Sequence, residues 1–126
     1  MGIGGAPEAV ITACAMKCVG GEIQCKLWPR NDDERALVAE QGLDIGRVYH
    51  TNDLVKGENV FFAATGITEG EFLRGVRYHS GGARTHSVVM RLASGTVRYI
   101  ESTHHWDKLM RISGVQYAGK QNGNGK

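Results

Sequence analysis

The sequence lacks any long apolar run, and this absence limits where the protein can be. No stretch of about eighteen apolar residues occurs, so a membrane-spanning helix is not expected. The three cysteines are not preceded by the apolar segment of a secretory leader, which indicates a reducing compartment. The sequence therefore predicts a cytoplasmic protein with no membrane partner.

Proline and excess charge are also scarce. Only two prolines accompany eighteen glycines, a combination that indicates many tight turns rather than disorder. Fifteen Lys and Arg residues against thirteen Asp and Glu leave a formal charge of +2, which is too small to indicate a nucleic-acid binder. The length suits one domain with a single core. Partners must therefore be inferred from candidate sites.

The cysteines and histidines show no spacing typical of a metal site. Cys14 and Cys18 share a helix face, which permits ligation in principle, yet small thiols at such positions are more often core residues. For the histidines, structural or surface roles are favoured. These histidines are His79, His86, His104 and His105.

A glycine-rich loop that runs into a helix is the main candidate site. Residues 2–8 read Gly-Ile-Gly-Gly-Ala-Pro-Glu. Glycines let backbone N–H groups approach an anion, Pro7 suits a helix start, and Glu8 places a carboxylate in the first turn. A helix N-terminus attracts phosphate, and a carboxylate there can hold a divalent cation. The pattern predicts half of a phosphate and metal site, although Glu8 could equally serve only to complement the helix dipole.

Apolar periodicity and turn signals predict an α/β chain. The helix over residues 7–19 is apolar on all sides and is expected to be buried. A second helix is predicted over residues 33–41, where Asn31 and Asp32 can cap its start and Gly42 ends it. A helical turn is predicted over residues 51–55, and a short helix is predicted after the capping pattern of Thr68 and Glu71. The predicted strands are residues 22–27, 59–65, 87–92 and 96–101, the last two as a hairpin.

Two further groups of residues leave alternatives open. Residues 65–70 could line a pocket at the end of a strand, although an ordinary turn is the better interpretation. Arginines could present guanidinium groups to a sugar phosphate or to acidic residues of a partner subunit, although a solvated face is more usual. They are Arg74, Arg77, Arg84, Arg91 and Arg98.

Beyond these local patterns, most of the chain resembles class II fructose-1,6-bisphosphatase. The resemblance runs from Gly2 to about His104. The segments that carry it are residues 2–8, 17–22, 53–57, 61–78, 85–91, 94–98 and 100–101. It covers about the last third of a family member, so Met1 is not expected to be the natural start.

The resemblance implies a fold, an activity and partners. The fold is the layered α/β fold of the inositol monophosphatase and fructose-bisphosphatase superfamily, here its C-terminal portion with a mixed sheet, flanking helices and a C-terminal β-hairpin. The activity is hydrolysis of fructose 1,6-bisphosphate to fructose 6-phosphate in gluconeogenesis or carbon fixation, dependent on Mn²⁺ or Mg²⁺. The expected partners are the sugar bisphosphate, the N-terminal part of the same enzyme and further copies in a homo-oligomer.

The resemblance also assigns the site residues. Glu8 matches a metal ligand and Gly5 a substrate contact, with Gly4 as a second substrate-binding residue, while no catalytic residue is assigned. The family usually has glycine after that glutamate, and the methyl group of Ala9 could crowd a sugar phosphate or face the helix packing.

The same matches set the expected extent and activity of the chain. Residues 1–112 are expected to belong to the phosphatase domain and residues 113–126 to a disordered tail. Because the chain supplies only one carboxylate of the metal site, it is expected to be inactive on its own. The alternative function is a non-catalytic module that binds phosphate or forms an oligomer.

Overall fold

A computed structural model describes residues 2–113 of the chain as four helices and six strands. In chain order the elements are α1 (Ala6–Cys18), β1 (Gln24–Lys26), α2 (Asp32–Glu40), β2 (Val48–His50), α3 (Thr51–Leu54), β3 (Phe61–Thr65), β4 (Arg77–His79), β5 (Gly82–Arg91), β6 (Thr96–His105) and α4 (Trp106–Ser113). None of these described helices has the length and apolar character needed to cross a bilayer.

The strands form two sheets, and both are antiparallel. One contains β1 and β2, with Gln24 opposite His50. In the other, β5 pairs with β3, β4 and β6, and the register of β4 on β5 places His79 opposite Gly82. The α/β class is confirmed, but the mixed sheet is wrong for the described strands. Close connections join β4 to β5 and β5 to β6, and short hairpins of this kind produce antiparallel pairs.

The described residues divide into two compact units. The first contains Met1–Ala64 with Val88–Tyr99, and the second contains Thr65–Ser87 with the described residues from Ile100 onward. The prediction of a disordered tail concerns residues that, apart from Ser113 at the end of α4, lie outside the described residues. That prediction and the domain assignment to residues 1–112 remain predictions.

The first unit has a small apolar core beside α1. Its buried members are Ala13, Cys18, Val55, Val60, Val88 and Met90. The one buried polar side chain in this unit is that of Thr51, whose hydroxyl accepts a hydrogen bond from the Ile23 backbone N–H at 2.8 Å. Because this hydroxyl is satisfied, the β1–α3 junction can be buried without an unpaired polar group.

Helix α1 is only partly buried, which corrects the prediction from its composition. Ala13 and Cys18 are buried, whereas Val10 and Ile11 are 40% and 57% exposed. Apolar residues surround the helix, but α3 contacts one of its sides. The described residues therefore leave an apolar side of α1 uncovered.

Most predicted turns and caps are confirmed. The side-chain oxygen of Asn31 accepts the Glu34 backbone N–H at 2.8 Å at the start of α2, and Gly42 has a positive φ of 67° after its end. The strands β5 and β6 form the predicted hairpin, and the positive φ of Gly95, 61°, lies in its turn. Sequence patterns that depend on neighbouring residues thus predicted these features correctly.

The short helix expected after Thr68 does not form. Residues 66–76 are irregular, and their loop is closed by the Val76 N–H donating to the Ile67 carbonyl at 3.0 Å. A Cβ on Gly75 would overlap the backbone of Thr68 and Glu69, so the two sides of the loop approach closely. The Glu69 carboxylate accepts the Gly75 N–H at 3.1 Å, and these contacts across the loop prevail over a local capping pattern.

Candidate functional site

The start of α1 has the geometry expected of an anion site. Gly5 occupies the N-cap position with an extended backbone, φ −73° and ψ 160°, and no side chain caps the helix. The Ala9 N–H donates to the Gly5 carbonyl at 3.2 Å as the first helical hydrogen bond. The N–H groups of Ala6 and Glu8 precede that bond, so they lack intrahelical acceptors and face outward at the positive end of the helix dipole.

The Glu8 carboxylate lies beside the Cα of Gly5. A Cβ built on Gly5 would overlap the Oε2 atom of Glu8, whereas a Cβ on Gly4 meets nothing within 4 Å. Glu8 is exposed, and no hydrogen bond or ion pair holds its carboxylate among residues 2–113. The structure therefore brings Gly5 and Glu8 together and leaves Gly4 in open surroundings.

The position of Ala9 bears on the departure from the family pattern. Ala9 is half-buried, and it precedes Ala13 by four residues on the same side of α1. Ala13 is fully buried, while Glu8 is exposed. This placement favours the interpretation in which the Ala9 methyl group faces the packing rather than the ligand.

The far end of α1 is held by a residue that sequence patterns did not single out. The Nζ atom of Lys17 donates to the carbonyl oxygens of Val55 and Gly57 at 3.0 and 2.8 Å. A cation in the last turn of a helix indicates only a favourable dipole interaction, so no local pattern predicts these two partners. Through them, Lys17 fixes the helix that carries Glu8 to the segment after α3.

A metal ion needs more ligands than the described residues bring together. Glu8 supplies a carboxylate oxygen of the type that Mg²⁺ and Mn²⁺ prefer. Within residues 2–113, however, no three His, Cys, Asp or Glu side chains form a group that could hold an ion. The carboxylate fits as one ligand and does not complete a site in this part of the chain.

Three of the cysteines and histidines that could be metal ligands, Cys18, His86 and His104, have structural contacts instead. Burial raises the pKa of the Cys18 thiol, which keeps it protonated, and its Sγ atom lies 3.9 Å from the Val60 carbonyl. His104 shares a hydrogen bond of 2.8 Å with the Thr85 hydroxyl, and the Nδ1 atom of His86 accepts the Arg74 N–H at 3.2 Å. These contacts favour the structural interpretation of each residue.

Comparison with known proteins assigns the family. A sequence model described as bacterial fructose-1,6-bisphosphatase, glpX-encoded, matches residues 1–104, which include Gly4, Gly5 and Glu8. The chain belongs to this family. The resemblance seen in the sequence is thereby confirmed, and its extent to about His104 agrees with the matched range.

Individual relatives agree with the family assignment. The chain is 40% identical, over 90% of its length, to a D-fructose 1,6-bisphosphatase class 2/sedoheptulose 1,7-bisphosphatase of Synechococcus elongatus. It is 41% identical, over 85% of its length, to the protein of the same name from Synechococcus sp. strain JA-3-3Ab. The chain spans 36% and 35% of the lengths of these relatives, so it corresponds to about a third of a family member.

Proposed function

We propose that this chain forms part of an enzyme that hydrolyses fructose 1,6-bisphosphate to fructose 6-phosphate and phosphate, with Mn²⁺ or Mg²⁺ as cofactor. The observation that supports this most directly is the exposed Glu8 carboxylate beside the N-cap glycine of α1, within the range matched by the family. The gluconeogenic or carbon-fixing role and the cytoplasmic location belong to the same proposal. So does the layered fold of the fructose-bisphosphatase superfamily for the whole enzyme.

Each residue at the start of α1 has a defined role in this proposal. Glu8 supplies one carboxylate ligand, and Gly5 allows substrate to approach the backbone, with Gly4 beside it. The N–H groups of the first helical turn donate to phosphate oxygens and add the positive end of the helix dipole. When bound, the divalent ions neutralise phosphate oxygens and activate an in-line water.

The remaining ligands are proposed to come from the N-terminal part of the same enzyme. One carboxylate is too few for a divalent ion, which takes six or more oxygen ligands when water is counted. The uncovered apolar side of α1, where Val10 and Ile11 are exposed, supports a packing partner at this helix. An assembly of further copies into a homo-oligomer is proposed from the family alone.

Mixing experiments test the proposal. The purified chain should release no phosphate from fructose 1,6-bisphosphate with Mn²⁺, and mixing with a separately produced N-terminal part of a family enzyme should restore hydrolysis. Glu8→Ala should abolish the restored activity, whereas Glu58→Ala, at another exposed glutamate of the first unit, should not.

Three results would contradict the assignment of roles. Robust metal-dependent hydrolysis by the chain alone would show that the metal ligands lie elsewhere. Full activity of the Glu8→Ala mixture would remove Glu8 from the site. Sugar-phosphate binding that survives both Glu8→Ala and a chelator would identify a metal-independent phosphate-binding module instead.

A further inference from the structure

Three arginines line one small cavity in the second unit. The cavity has a volume of about 50 Å³, room for about four water molecules, which is comparable to one tetrahedral oxyanion. Its lining residues are Arg74, Gly75, Arg77, Arg84, Thr85, His86 and Glu101. We call this cavity the arginine pocket.

Two of these arginines face each other across neighbouring strands. The register of β4 on β5 places Arg77 directly opposite Arg84, so both side chains project from the same face of the sheet. Cβ atoms in such a pair lie about 5 Å apart, and like charges directly opposite each other are destabilising. Without an anion, the arrangement therefore opposes folding of the hairpin.

Acidic groups of the described residues compensate this charge only in part. A carboxylate oxygen of Glu101 lies 3.6 Å from a guanidinium nitrogen of Arg84, and both side chains are more than half exposed. No ion pair is recorded for Arg74 or Arg77 within residues 2–113. Three cations against one carboxylate leave an excess of two positive charges at the pocket.

The neighbouring polar groups reduce this excess without removing it. The Glu69 carboxylate accepts the N–H of the lining residue Gly75 at 3.1 Å and keeps its own negative charge, so one positive charge remains uncompensated. The Thr85 hydroxyl shares its hydrogen bond with His104 and adds no charge. The charged lining residues themselves, three arginines and Glu101, would be balanced by an anion that carries two negative charges.

We propose that the arginine pocket binds a phosphoryl dianion, either inorganic phosphate or the phosphate group of a small ester. Guanidinium groups match phosphate oxygens with two parallel hydrogen bonds each, and the pocket is too small for a peptide segment. The binding relieves the repulsion between Arg77 and Arg84. None of Gly4, Gly5 or Glu8 takes part, so the inference is independent of the proposed hydrolysis.

The test is an NMR titration of the full chain with inorganic phosphate at constant ionic strength, with chloride as the balancing anion. Phosphate should shift the amide resonances of Gly75 and Arg77 saturably. Arg77→Gln should weaken phosphate binding at least tenfold. Arg77→Lys keeps the charge but loses the two parallel hydrogen bonds of the guanidinium group, so it should weaken binding less. Arg98→Gln removes an exposed arginine outside the pocket and should leave the affinity unchanged.

A second titration with glycerol phosphate distinguishes the source of the dianion. Affinity equal to or above that of inorganic phosphate would support an ester as ligand, and markedly weaker affinity would support the free ion. The proposal is overturned if phosphate produces no saturable shift in the wild-type spectrum, or if Arg77→Gln retains its affinity while its spectrum remains dispersed. Saturable shifts by a short polyglutamate peptide, with none by phosphate, would overturn it in favour of an acidic protein partner.

Discussion

Replacing Gly82 with alanine should strongly destabilise the β4–β5 hairpin, whereas replacing its neighbour Gly81 should not. Gly82 is buried, and a Cβ there would overlap the backbone carbonyl group of His104 on β6. A Cβ on Gly81 meets no atom closer than Nδ1 of His79, at 4.0 Å. A backbone carbonyl cannot rotate away as a side chain can, so the strands themselves must separate to accept the Gly82→Ala methyl group.

The expected difference follows from the two environments. Forcing an extra methyl group into a packed site lowers the free energy of unfolding by about 1–3 kcal/mol. At a compatible site such as Gly81, alanine should leave the free energy of unfolding unchanged or raise it by about 0.4–1 kcal/mol, because the unfolded chain loses conformational entropy. A difference of about 2 kcal/mol, with a urea m-value of about 2 kcal/mol/M, separates the two midpoints by about 1 M.

The two tryptophans allow this to be measured within one unit. Trp106 stacks on Tyr78 with ring centroids 6.3 Å apart, and Trp28 belongs to the other unit. In a Trp28→Phe background, Trp106 fluorescence would therefore report urea unfolding of the second unit. Equal midpoints for Gly81→Ala and Gly82→Ala would refute the close approach of β6 to Gly82 and the reasoning built on it.

Three further predictions concern the first unit. Lys17→Met should lower the free energy of unfolding by about 1–3 kcal/mol in urea titrations, because two backbone carbonyls lose a charged donor. Gly5→Ala should weaken Mn²⁺ binding about tenfold in calorimetry of the chain mixed with the N-terminal part of a family enzyme, because the new methyl group displaces the Glu8 carboxylate. A hydrogen bond with His50 Nδ1 lowers the pKa of Glu22 from its ordinary value of 4.5. The stabilisation that this contact gives the fold is therefore complete when the pH is above 4.5, and it is lost as the pH falls through the lowered pKa. Glu22→Gln should therefore flatten the acid side of the thermal-unfolding profile.

The lysine and glycine predictions have matched controls, and the lysine and Glu22 predictions have outcomes that would contradict them. Lys26→Met, on the exposed edge of β1, should be nearly neutral, and an equal loss in both lysine variants would argue against the two carbonyl contacts. Gly4→Ala should leave Mn²⁺ binding unchanged, since its Cβ meets nothing. If the Glu22→Gln variant loses stability in acid as steeply as the wild type, the Glu22–His50 contact does not stabilise the fold.

The features that sequence predicted well are those decided within a few residues. Glycine, proline and a first-turn glutamate placed the start of α1 correctly, and Asn31 caps α2 as its residue type indicates. The β5–β6 hairpin was predicted from its β-rich runs and the Ser-Gly turn. Each of these signals acts through local backbone preferences, which tertiary contacts here reinforce.

The features that the sequence analysis missed depend on packing and strand register rather than on local backbone preferences. The capping pattern at Thr68 looked helical, but close backbone packing at Gly75 holds that segment in a loop. The pairing of Arg77 with Arg84 required the register of a three-residue strand that has no apolar alternation. Composition predicted that α1 is buried, yet composition cannot say which of its sides has a partner in the described residues.

The start of α1 has a glycine where a capping side chain would stabilise the helix more. Serine or aspartate at the N-cap would stabilise the helix through a side-chain hydrogen bond, typically by about 1 kcal/mol relative to alanine, with glycine intermediate. Gly5 makes no such bond, so the first-turn N–H groups stay available. The missing Cβ also leaves the space that the Glu8 carboxylate occupies. Because both consequences serve an anion and a cation at the same place, they support a phosphate and metal site more strongly than Glu8 alone, whose dipole interaction would need no glycine before it.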